Sequence, residues 1–97
     1  MREHIKNAIR AECMNPGFRM DLVDVVEHRK SELGGSIFSW ESQFKYYEGK
    51  MKTDPSYRTD ESVQEYIRAG RGVVKSLKGA VTTCNDILEV IAAIPDC

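Results

Sequence analysis

Nine positions, Val63, Ile67, Gly70, Val74, Leu77, Val81, Cys84, Leu88 and Ile91, follow one another in alternating steps of four and three. Such a run is the heptad signature of a helix packed along one seam. It predicts a helix over about 60–94, about 45–50 Å long at 1.5 Å per residue. Pro95 ends it, and Asp60 or Thr59 can cap its start. A second run, Val23, Val26, Leu33, Ile37, Trp40, Phe44, Tyr47 and Met51, has the same helical spacing, broken only by Lys30. It predicts a helix over about 20–52. The register passes unchanged through Gly34-Gly35, so the pattern favours one helix, kinked or closely approached at the glycines, over two.

Upstream, Ile5, Ala8, Ile9 and Cys13 form a shorter apolar stripe, predicting a leader helix over about 2–14. Asn15-Pro16-Gly17 then breaks the chain. The polar segment 53–60, with Pro55, reads as a turn. The expected architecture is all-α, a single helical domain over 1–97. A short N-terminal helix precedes a long antiparallel hairpin whose first long helix is kinked at Gly34-Gly35. A lone hairpin has no second layer to cover its outer apolar residues. Ile94, Val90, Val73, Tyr66, Phe38 and Tyr46 all lie off the two seams, so the hairpin is expected to assemble as a homo-oligomer.

Composition narrows the functional classes. The chain has 97 residues, 41% of them apolar, and its 14 basic and 15 acidic residues leave a net charge of −1. That balance excludes a generally cationic nucleic-acid binder and makes polymeric nucleic acid an improbable partner. No apolar run reaches the roughly 18–20 residues of a membrane span, and no signal-peptide core follows the first residues. The expected compartment is the cytoplasm. Cys13, Cys84 and Cys97 are odd in number and unclustered, which argues for reduced thiols and against a disulfide framework. Neither histidine, His4 or His28, stands at metal-ligand spacing, so no metal and no cofactor are expected.

The most informative polar feature is a basic stripe, Arg68, Arg71, Lys75 and Lys78, continued by Thr82 on one flank of the last helix. Gly70, Gly72 and Gly79 lie beside it. Helical glycines are costly, and their use here suggests close helix approach or room for a ligand. A cationic, hydroxyl-bearing, glycine-lined groove suits phosphate oxygens. A solvated positive face explains the same residues. Gly17-Phe18-Arg19, expected on a loop before the second helix, offers an aromatic for stacking and an arginine for a phosphate. Phe18 can equally be a hydrophobic staple. His28, Arg29 and Lys30 form a second small basic group. No nucleophile–base, phosphate-loop or metalloprotease fingerprint occurs, so no enzymatic activity is expected.

These residues resemble a family of small phage proteins that sequester cyclic-oligonucleotide immune signals, the anti-CBASS sponges with a helical-hairpin domain. Gly17-Phe18-Arg19 resembles that family's Gly-Tyr-Arg, and Glu32-Leu33-Gly34 its Glu-Leu-Gly. Gly70-Arg71 and Ala80-Val81 resemble positions on its last helix. Two departures stand out. The interval from Phe18 to Leu33 is short, and the family's lysine falls at Glu27, so its role passes to Arg29 or Lys30. The resemblance implies a homo-oligomer that binds a cyclic di- or trinucleotide without cleaving it, in an infected host's cytoplasm. The candidate ligand residues are Phe18, Arg19, Arg29, Lys30 and Arg71, which the resemblance implies, with Arg68, Lys75 and Thr82 added by the basic stripe. The alternative is an inhibitor or adaptor that binds a host protein through Tyr46, Tyr57 and Tyr66, since aromatics dominate interface hot spots.

Overall fold

A computed structural model describes residues 1–95. Its elements are α1 (Glu3–Glu12), α2 (Pro16–Thr53), α3 (Pro55–Thr59) and α4 (Glu61–Ala92). α2 and α4 form the antiparallel hairpin, and α1 folds back onto α4. All nine residues of the α4 seam are buried or half-buried, and so are the eight apolar residues of the α2 seam. Lys30, the interruption in that seam, is exposed.

α2 begins earlier than the periodicity suggests. Asn15 caps it, its Oδ1 accepting from Gly17 N–H at 2.9 Å and Phe18 N–H at 3.2 Å. Pro16 takes the first helical position, where a missing N–H costs nothing. Asn-Pro therefore ends α1 and starts α2 at once. Gly17-Phe18-Arg19 stands in the first turn of α2 and not on a loop.

Helix α2 runs unbroken through Gly34 and Gly35. Neither glycine is closely approached, because a Cβ on either would meet nothing within 4 Å. The close approach is at Gly70 instead, under Trp40 and Phe44. The expected polar turn contains a helical turn of its own, α3, with Pro55 at its start. Asp54 caps it, accepting from the Ser56 N–H at 3.0 Å and hydroxyl at 2.7 Å. These two donors hold the Asp54 carboxyl below its ordinary pKa, with Lys50 adding to the effect. Asp60 caps α4 through Ser62 N–H at 2.9 Å.

Two apolar clusters sit at the α1 end of the hairpin. One joins Cys13, Ile91 and Ile94 with Ile9, Leu22, Val23 and Ile87. The other joins Val26, Leu33 and Cys84 with their α4 neighbours. Ile94 and Val90, expected to lie uncovered, are buried because the leader helix packs over this end of α4. Cys13 and Cys84 are buried free thiols; Cys97 lies outside the described residues. At the turn end an aromatic cluster replaces the aliphatic core. The Trp40 ring lies 5.5 Å from Tyr66 and 6.1 Å from Phe44, and the Tyr47 ring lies 5.5 Å from Tyr66 and 6.5 Å from Tyr57.

The result is a thin rod of 63 × 21 × 15 Å with a radius of gyration of 19.4 Å. A globular chain of this length would have about 12–13 Å. No large side chain among the described residues is fully enclosed.

Candidate functional site

The hairpin has two broad flanks, and cross-helix contacts fix which residues share each. On the first flank, Arg71 Nη2 lies 3.5 Å from Glu48 Oε1 and Lys78 Nζ lies 3.4 Å from Glu41 Oε1. On the second, the Tyr66 hydroxyl donates to Gln43 Oε1.

The basic stripe therefore does not line a purely cationic groove. The register of the hairpin places α2 carboxylates directly beside it. Both ion pairs are more than half exposed on the cation's side, so each is worth only up to about 1 kcal/mol. A phosphate with better geometry can displace them. Arg68 and Lys75 stand further out on the same flank and make no ion pair among the described residues. Arg68 lines a shallow cleft with Glu61, Gln64 and Glu65. Thr82 continues the line at an exposed position, its hydroxyl donating to Lys78 C=O at 3.1 Å.

Gly72 and Gly79 border the stripe, and a Cβ on either would meet nothing within 4 Å. Of the three glycines beside the stripe, only Gly70 has a packing reason, and it belongs to the seam.

The second expected ligand group lies at the opposite end. Arg19 Nη2 donates to Ile91 C=O at 3.1 Å, so this arginine ties the start of α2 to the last turn of α4. Phe18 beside it is exposed. Ile91 and Arg71 stand 20 positions apart on one helix, about 30 Å. Phe18 and Arg19 thus share no pocket with Arg71 inside one protomer. Arg29 and Lys30 are exposed on α2 between the two ends, next to a His28–Glu32 pair at 3.4 Å.

Sequence reasoning missed the acidic partners Glu41 and Glu48. Tyr57, expected as an exposed interface anchor in the adaptor reading, is half-buried in the aromatic cluster. Among the described residues, no three His, Cys, Asp or Glu side chains gather as a metal site would require. No helix among them is long and apolar enough to cross a membrane. No protein-family model matches the chain, and no curated protein or solved structure is significantly similar to it.

Proposed function

We propose that the protein is a non-enzymatic binding protein, working as a homo-oligomer of helical hairpins that sequesters cyclic di- or trinucleotides. The observation that carries this reading is the outer line Arg68, Lys75 and Thr82, all exposed, whose two cations make no ion pair among the described residues, beside the weakly held Arg71. Two or three cations at helical spacing match the few phosphates of a small cyclic oligonucleotide better than a long polyanion. The ligand class itself rests on the resemblance of Gly17-Phe18-Arg19 and Glu32-Leu33-Gly34 to the phage sponge family. Phe18, exposed next to the Arg19 that bonds Ile91, itself about 30 Å along α4 from Arg71, can join a stripe residue around one ligand only if a second protomer supplies it. The setting would be the cytoplasm of an infected host. Isothermal titration of Arg71→Ala against cyclic di- and trinucleotides tests the reading. Loss of binding with helical content intact supports it; unchanged affinity overturns the assignment.

A second reading has its own observation. Phe38 is 73% exposed and Tyr46 57% exposed, and together with Ser39 and Ser42 they line one shallow cleft on the outer face of α2. An inhibitor or adaptor that docks on a host protein would use such aromatics. Its discriminating result is a partner lost on Phe38→Ser with no cyclic nucleotide bound by the unaltered protein.

A further inference from the structure

The two flanks of the hairpin differ in kind. The first is laced with charge: Arg68, Arg71, Lys75 and Lys78 on α4, with Glu41 and Glu48 on α2. The second carries Tyr66, Ala69, Val73, Ser76, Ala80 and Thr83 on α4, in steps of three and four without a charge. Beside it on α2 stand Ser36, Ser39, Gln43 and Tyr46, also uncharged, with Gln43 tied to Tyr66. In a chain with 30% charged residues, the stretch between Ser36 and Tyr46 on α2 and between Tyr66 and Thr83 on α4 presents an uncharged line on this side, bordered by Lys50 over the Tyr46 ring at 5.8 Å.

The same α4 series continues through Ile87, Val90 and Ile94. There α1 covers it, and Val90 and Ile94 are only 8% and 9% exposed. Before Ala80 the face is more open: Tyr66, although its ring packs on Trp40 and Tyr47, and Val73 remain 38% and 41% exposed. One continuous helix face is thus half dressed. The open half, from Tyr66 to Thr83, is about 26 Å long, the length of a helix–helix contact.

We infer that this uncharged flank of α4 is the seat of a second copy of this chain, docked antiparallel across a two-fold axis. The inference rests on the oligomeric part of the reading above and names the surface. Three observations select a second copy as the occupant. First, a compact protein of 11.0 kDa exposes about 5,600 Å². This chain exposes 7016 Å², an excess of about 1,400 Å², more than the roughly 800 Å² per partner that a stable interface needs. Second, a two-fold contact presents the same patch to itself, so a patch without charge meets no like charge. Third, the series is self-complementary in size. With the axis at the middle of the open stretch, Tyr66 faces Thr83, Val73 faces Ser76 and Ala69 faces Ala80. Each large residue meets a small one, and the alanines let the backbones approach. The contact also leaves the basic flank facing outward on both copies.

Sedimentation equilibrium of the unaltered protein, Val73→Arg and Ser76→Arg tests this. Both residues are exposed in the protomer, so arginine is accommodated and the helical circular dichroism is expected to persist. The expected result is a self-associating wild-type protein whose association weakens at least about tenfold in each variant. A wild-type oligomer unchanged by both arginines overturns this surface while sparing the oligomeric reading. A monomeric wild-type protein overturns both and leaves the flank to some other partner.

Discussion

Gly70 lies so close under Trp40 that a Cβ on it would stand 2.7 Å from the indole Cζ3. Phe44 Cε1 closes the other side at 2.8 Å. The hairpin's aromatic end is built on this absence of a side chain. Gly70→Ala forces the rings apart and is expected to cost about 1–3 kcal/mol, as overpacking does. Chemical denaturation measures it.

The exposed glycines behave in the opposite way. Gly35, Gly72 and Gly79 are helical with open space where a Cβ would go. Alanine at each is expected to stabilise by about 0.5–1 kcal/mol, through helix propensity and a less flexible unfolded chain. Thermal melts of the three variants check this. A loss of stability at Gly72 or Gly79 would reveal a contact that the protomer does not contain.

Packing of the leader helix gives a third expectation. Ile91 is the most buried residue of the Cys13–Ile91–Ile94 cluster, at 2% exposure. Ile91→Ala is expected to cost about 2–4 kcal/mol and to release α1, read as faster amide exchange across residues 3–12. Uniform destabilisation with α1 still protected would place the anchor of the leader elsewhere.

Acid acts on the turn. The Asp54 carboxyl titrates below its ordinary range because Ser56 donates two hydrogen bonds to its charged form. A depressed folded pKa means stability that is full above the unfolded value and lost as pH falls through the folded one. Amide protection in α3, taken relative to the intrinsic exchange rate at each pH, should therefore fall only on the acid side of the usual carboxylate range. In Asp54→Asn that pH dependence should vanish.

Much of this fold was legible in the chain, because heptad spacing encodes which face of a helix is covered. Every α4 seam residue from Val63 to Ile91 is buried or half-buried. Local chemistry was legible only where both roles of a residue were weighed. Asn15-Pro16 was read as a break, yet the same pair is a cap followed by a first-turn proline. Contacts between helices were beyond reach, since the offset of α2 against α4 decides that Glu48 meets Arg71 and Glu41 meets Lys78. The same offset decides that Gln43, not a charge, meets Tyr66. The cover over Val90 and Ile94 was likewise hidden, because it depends on where α1 folds back. The basic stripe was seen, but its acidic neighbours lie more than 20 residues away in sequence.

Native mass spectrometry of the purified protein, alone and with cyclic di- and trinucleotides, is the most direct test of the proposed function. The expected spectrum shows an oligomer that gains discrete ligand masses in proportion to its protomers, and loses them in Arg71→Ala. An assembly that takes up none of these nucleotides would contradict the sequestering role, and a bare monomer would contradict the hairpin oligomer as well.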